Sequence, residues 1–293
     1  MTTMSHAAVP VPRLDRLSAL LEGLAPEVTV RHLSAAPALP PSTGPMPTLR
    51  PSLRLYLLMS GRASLQQDGR HEGLASPSLV ICRSDTHHCL TPEDGTVPVS
   101  IVLVEACLRG PAARLLLDAF DEPFVIPLVD AETSLLHTVG LIAAELEQPR
   151  CGQPALLHRA GDILFIGVLR QLVARPTSTV GGVLSGLADP RLARALVAIH
   201  VRPQAHWTLE RLAVEAGMSR TAFAKHFHAV MRLPPGRYLQ VVRLAIARSE
   251  VIAGRGLKQA AQASGYQSAA ALSRALSRPS VREHHAQQAA VVQ

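Results

Sequence analysis

The stretch TLERLAVEAGMSRTAFAKHFHAVM, residues Thr208–Met231, decides how the rest of the chain is read. Leu209, Leu212 and Ala213 recur at helical spacing, and Phe223, Phe227, Val230 and Met231 form a second stripe one turn apart. Between the stripes, Gly217 can adopt the left-handed backbone that ends a helix, and Ser219 can cap the next one. Helix, tight glycine turn and second helix make a helix-turn-helix, whose second helix can enter a DNA groove.

The pattern returns in LKQAAQASGYQSAAALSRALSR, residues 257–278, with Gly265 at the turn, Ser268 as the cap and Leu272 and Leu276 four apart. Between the two units, Pro234-Pro235 starts a long amphipathic helix carrying Tyr238, Val242, Ala245 and Ile246 on one face. Ahead of them, Asp189-Pro190 reads as a helix cap followed by proline at the first helical position.

Composition supports two dissimilar parts. The chain has 293 residues and a net charge of +7, with 47% hydrophobic and only 3% aromatic residues. From Gly186 onward there are 15 Lys and Arg against 5 Asp and Glu; the remainder holds 14 against 17. A basic rear half behind a mildly acidic front half fits a nucleic-acid-binding domain joined to one of another kind. No apolar run is long enough to span a membrane, and Met1–Pro12 lacks the apolar core of a signal peptide. Four irregularly spaced cysteines do not make a disulfide framework, so a cytoplasmic protein with reduced thiols is expected.

The front half begins with a helical pattern over Arg13–Leu24 and a strand near Val28–Leu33. Six prolines between Ala35 and Pro51 exclude a regular element there. Strand signals follow at Leu53–Met59, Ala63–Gln67, Leu79–Cys82 and Val97–Val104, with Asp68-Gly69 as a turn. Short strands at this spacing suggest a small barrel or sandwich. Gly110–Phe120, Glu132–Gln148 and Pro154–Ala174 read as helices, and Arg175–Ala188, rich in Gly, Ser and Thr, reads as a linker.

Two helix-turn-helix units bridged by one long helix resemble the DNA-binding domain of AraC/XylS-type regulators, over roughly Asp189–Arg278. The front half resembles the cupin-like sensor domain found ahead of some of them. The resemblance implies an α+β chain: a small cupin-like β-barrel with flanking helices over residues 1–174, a linker at 175–188, an all-α domain of two helix-turn-helix units joined by a long helix over 189–282, and a tail at 283–293. It further implies sequence-specific binding to double-stranded promoter DNA, a homodimer contacting through the front domain's helical pair, RNA polymerase as a partner, and no catalysis or cofactor. The sequence departs from the family in having leucines for phenylalanines in the last recognition helix, and in lacking the usual aromatic segment after Arg278.

With Phe223 and Phe227 inward, Arg220, Thr221, Ala224 and Lys225 are expected to face outward, and the resemblance places base contacts at Thr221, Ala224 and Lys225. In the second unit Ala269, Ala270, Ser273 and Arg274 face outward, Arg274 being the strong base-reading candidate. Arg237, Arg243 and Arg248 on the connecting helix read as phosphate anchors or solvated charges. The candidate sensor residues are Cys82, His87, His88 and Cys89, in CRSDTHHC. Three readings stand side by side. They could ligate a metal, although adjacent histidines on a strand point to opposite faces. A thiol with its pKa lowered by His87, His88 and Arg83 could respond to an oxidant. Or they are buried small residues and ordinary histidines. The competing functional classes are a cupin-type metal enzyme and a non-specific DNA-binding protein.

Overall fold

The computed structural model describes residues 14–33, 52–67, 69–93, 98–175 and 181–277. The front half opens with helix α1 (Ser18–Leu24) and strand β1 (Pro26–Leu33). Strands β2 (Ser52–Ser60), β3 (Arg62–Gln67), β4 (Arg70–Ala75), β5 (Ser78–Arg83), β6 (Cys89–Pro92) and β7 (Ser100–Leu108) follow, then α2 (Ala113–Leu117) and β8 (Phe124–Pro127). The strands pair antiparallel in two sheets, ordered β1-β7-β2-β5-β8 and β4-β3-β6. The proline-rich segment, residue 68 of the turn and the C-terminal tail lie outside the described residues.

Strand β2 shows why its sequence is apolar almost throughout. Tyr56 and Leu58 face a core between the two sheets, with Ala63, Leu65, Leu74, Val80 and Leu90. Leu53, Leu55 and Leu57 face the other way, into the core shared with the helices. A central strand covered on both faces has no polar alternation to show. Its helical cover is α3 (Thr133–Glu147) and α4 (Gln153–Ala174). Helix α4 approaches β1 at Gly161, where a Cβ would stand 2.8 Å from Val28 Cγ1. His158 Nδ1 bonds the Val28 carbonyl at 2.7 Å. Strands β4, β6 and β8 were not legible in the sequence: RHEGLA, CLTP and FVIP are too short or too polar to show a period.

The rear half is helical: α5 (Gly182–Ala188), α6 (Pro190–Val201), α7 (Leu209–Glu215), α8 (Arg220–Met231), α9 (Pro235–Ile252), α10 (Leu257–Ser264) and α11 (Ala269–Leu276). The linker reading of residues 175–188 needs correcting over its second half. There α5 buries Val183, Leu184, Gly186 and Leu187. Its seven residues are too few to establish a 3.6-residue period, and its glycines and serine imitate a loop. Helix α5 packs on α2 and α4 of the front half and on α6 and α8 of the rear. Gly186 permits this: a Cβ there would lie 2.3 Å from Met231 Sδ and 2.6 Å from Leu196 Cδ1. Arg16 donates to the Leu187 and Ala188 carbonyls, both at 3.2 Å. One apolar core therefore runs from the sheet into the first helix-turn-helix.

The turn glycines differ in what surrounds them. Gly217 has φ +64° and open space, its nearest contact for a Cβ being Arg194 Nη1 at 3.8 Å. Gly265 has φ +78° and presses on backbone, with Gln204 Cα 2.7 Å from the place a Cβ would take. Gly217→Ala is expected to cost about 1–2 kcal/mol, the penalty of a left-handed backbone. Gly265→Ala should cost at least about 1 kcal/mol more, because a backbone atom cannot yield as a side chain does. Thermal unfolding of the two variants checks the order.

Candidate nucleic-acid interface

The first unit is set by caps and aromatics. Thr208 Oγ1 accepts from Arg211 N at 3.2 Å and Ser219 Oγ from Ala222 N at 3.3 Å, so each helix begins at a satisfied donor. Phe223 and Phe227 are fully buried with ring centroids 5.5 Å apart, and Phe227 meets Tyr238 of α9 edge-on at 5.8 Å. Tyr238 OH bonds His200 Nε2 of α6 at 2.7 Å. Burial holds the His200 imidazole neutral, its pKa lowered from 6.5 to about 4.

This packing fixes which face of α8 is offered to solvent. Arg220, Thr221 and Lys225 are exposed, while Ala224 is half-buried on the flank. Arg220 is engaged with Glu210 of α7 at 3.0 Å, an exposed pair joining the two helices of the unit. His226 turns back instead, its Nε2 2.6 Å from Asp189 Oδ2. Asp189 also caps α6 through Oδ1, at 2.9 Å from both Arg191 N and Leu192 N. Burial pushes the Asp189 carboxyl upward, but hydrogen bonds from Leu192 N, His226 and Arg191 N outweigh it and hold the pKa below the usual value. His228 and Arg232 share the exposed side with Lys225. For His228, 100° steps from Phe223 and Phe227 predict that side, whereas Arg232 lies past the helix end at φ +59°.

The second unit rests on less. Its core is Ala247, Ala260, Ala261 and Leu272, with Tyr266 and Leu276 partly buried beside it. Ser268 Oγ caps α11 from Ala271 N at 3.1 Å. Ala270, Ser273 and Arg274 are exposed and Ala269 is half-buried. Among the described residues, neither Lys225 nor Arg274 has an ion-pair partner. Arg243 needs correction as a phosphate anchor or solvated charge: its Nε donates to the Pro203 carbonyl at 2.9 Å and its Nη2 to that of Ala205 at 2.7 Å. It pins the loop between α6 and α7 to the middle of α9, beside Gly265. A guanidinium donates to carbonyls as well as to phosphates, and the sequence carries no sign of which.

The expected sensor residues are dispersed. Cys82 is buried between the sheets, opposite Arg54 in the β2–β5 register. Burial pushes its thiol up to about 12 against the opposing pull of Arg54, so the lowered pKa expected for Cys82 is reversed. The thiol points inward with Tyr56, whereas Arg83, on the other face, holds Asp85 at 2.6 Å and Asp121 at 3.3 Å. His87 is exposed and Cys89 half-buried. His88 is buried: its Nδ1 lies 3.0 Å from the Thr86 carbonyl and its Nε2 2.9 Å from Tyr56 OH. A carbonyl can only accept, so Nδ1 carries the proton and Nε2 accepts from the tyrosine. Burial lowers the pKa of His88. Among the described residues no three His, Cys, Asp or Glu side chains converge as a metal site.

Residues 15–174, more than half of the chain, match the family model described as cupin, and residues 212–278 match one described as a helix-turn-helix domain. The chain belongs to the AraC-type proteins with a cupin domain in front. It is similar to the HTH-type transcriptional regulator AlkR of Acinetobacter baylyi, 33% identical over 168 residues, which cover 52% of this chain and 55% of that protein. It is also similar to an AraC-like protein of Streptomyces lividans, 33% identical over 172 residues, 57% of this chain and 56% of that one. The chain thus spans about half the length of these curated relatives. A longer match, 28% identical over 242 residues and covering 80% of this chain and 82% of the relative, is the RCS-specific HTH-type transcriptional activator RclR of Escherichia coli.

Two measurements follow for this AraC-type chain. Between pH 6.5 and about 4 the unfolded chain protonates His200 while the folded one does not, so stability is full above pH 6.5 and drains away as pH falls toward 4. Thermal melts of His200→Gln should flatten in that window relative to the parent protein. Iodoacetamide at pH 8 should label exposed Cys151 first and Cys82 only after unfolding, as mass spectrometry of timed digests will read.

Proposed function

We propose that this protein is a transcription regulator that binds a specific promoter sequence through both helix-turn-helix units, under control of a signal received by the cupin domain. The observation that carries this reading is the placement of two capped helices, α8 and α11, at opposite ends of α9, each with a polar face open to solvent and a cation on it that has no ion-pair partner among the described residues. Thr221, Lys225, Ser273 and Arg274 are the readers, with Arg220, Ala224, Ala269 and Ala270 in supporting contact. Lys225 and Arg274 can bond guanine O6 and N7, while alanines offer only a methyl surface. The basic rear half supplies the phosphate attraction that precedes sequence reading.

The remaining assignments belong to the same reading. The protein works in the cytoplasm as a homodimer, with RNA polymerase as partner and without catalysis; the named relatives are transcriptional regulators. No described helix is long and apolar enough to cross a membrane. A small molecule fits the front domain's role better than thiol oxidation at Cys82, whose buried thiol resists forming the thiolate. A thiol-based signal would fall to half-buried Cys89.

Selection of bound fragments from genomic DNA, followed by fluorescence-anisotropy titration, tests the proposal. A regulator should prefer its selected site over random DNA by about 10³-fold or more at physiological salt. Preference near unity with steep salt dependence would instead indicate a non-specific binder. Lys225→Ala and Arg274→Ala should each weaken the selected site by about 1–3 kcal/mol and relax the preference at one base position. Unchanged affinity removes the residue from the interface.

A further inference from the structure

A cleft of about 240 Å³ opens where the front half meets the rear. One wall is α1 and the start of α2, with Ala19, Glu22 and Leu115; the other is His200 of α6 with Val242 and Ile246 of α9. The opening is therefore bounded by both halves of the protein, and it is distinct from the core between the two sheets. Its volume lies below the roughly 300 Å³ at which sites for drug-sized ligands begin, so an occupant is small.

The chemistry of the lining is one-sided. Glu22 is the one formal charge among the lining residues, since burial keeps His200 neutral. Among the described residues the Glu22 carboxylate makes neither an ion pair nor a hydrogen bond. A carboxylate beside the side chains of Leu115, Val242 and Ile246, with no Lys or Arg among the lining residues, complements a molecule with a positive head and a short apolar body. A carboxylate or phosphate ligand would meet like charge and no basic partner.

The cleft also touches the parts that hold the first recognition helix. His200 bonds Tyr238, and Tyr238 packs edge-on against Phe227 of α8. Val242 and Ile246 lie on α9, the helix that joins the two units. A molecule wedged here would fix α1 and α2 against α6 and α9, and so bias the pose of both units relative to the front half. A ligand shifts such an equilibrium only by its difference in affinity for the two arrangements.

We propose that this cleft binds a small organic amine, its ammonium on Glu22 and its apolar body against Leu115, Val242 and Ile246, and that occupancy changes the protein's affinity for DNA. The second half of the statement rests on the DNA-binding reading; the first does not. Hexylamine is the probe, with hexanol and hexanoate as controls of equal length. Hexylamine should bind the full-length protein saturably by calorimetry and raise its melting temperature, while the controls do neither. Glu22→Gln, an exposed conservative change, should weaken hexylamine by about tenfold or more, the worth of a charge-assisted bond. Glu22→Lys should abolish it and admit hexanoate. Equal binding of amine and alcohol, or hexylamine affinity unaltered in Glu22→Gln, overturns the site. Saturation with no change in affinity for the selected DNA fragment overturns its coupling to DNA. A protein that selects no DNA even without amine refutes the DNA-binding reading alone, and the calorimetric result still stands.

Discussion

The contact between Gly186 and Met231 holds the architecture together. Met231 is the last residue of α8, and its sulfur occupies the space a side chain at position 186 would need. Because that space is free, α5 can lie against α8 and α6 with its other side on α2 and α4. The front and rear halves then share one core instead of meeting across a tether. Interiors are close-packed and transmit displacement, so movement of α2 or α4 is felt at α8 through a few side chains. The Asp189–His226 pair reinforces the route, since one carboxylate both begins α6 and grips the middle of α8. No flexible linker between the front and rear halves could make that connection.

The two units draw on unequal resources. The first is anchored by Phe223, Phe227, Tyr238 and Met231, all nearly fully buried. Among the described residues, the second has one fully buried large side chain, Leu272, among alanines and a serine. Burying a leucine contributes about 1.5–3 kcal/mol, whereas an alanine contributes far less. What compensates is attachment to its neighbour. Gly265 rests on Gln204, and Arg243 clamps the same loop by two carbonyls. The second unit is thus supported by α9 and the α6–α7 loop as much as by its own core.

Residue patterns made much of this legible. Caps at Asp189, Ser219 and Ser268 and the turn glycines 217 and 265 sit where the sequence pattern places them, because each encodes a local backbone requirement. The Phe223–Phe227 stripe gave the phase of α8 within one residue, and Ala224 fell on the flank because outward and inward arcs meet there. What was hidden was hidden for a reason. Helix α5 is shorter than two periods of its pattern. Arg243 looks in sequence like any surface arginine, and only the folded loop brings Pro203 and Ala205 within its reach. Cys82 is polar by its neighbours in sequence and apolar by its neighbours in space: Arg83 and His87 lie near it along the chain, but the strand's alternation sends Arg83 to the opposite face.

The location of polar groups in the front half bears on what kind of signal it can carry. In the front half, partly buried Arg54 and Glu105 face each other at 3.5 Å, and Glu105 also receives Ser52 at 3.1 Å and the exposed Arg31 at 3.1 Å. Tyr56 and His88 satisfy one another. These groups are already paired, so a ligand entering there must break a hydrogen bond for each one it makes, and the net gain per exchange is small. At the cleft the exchange is with water alone: Glu22 is exposed and its carboxylate has no protein partner among the described residues, while Leu115, Val242 and Ile246 stand beside it. Binding there breaks no hydrogen bond within the protein among the described residues, and it takes place between the elements that α5 and α9 connect to α8 and α11. A junction that is packed yet keeps one unfilled opening is where a small molecule's contact energy converts most directly into a change of arrangement.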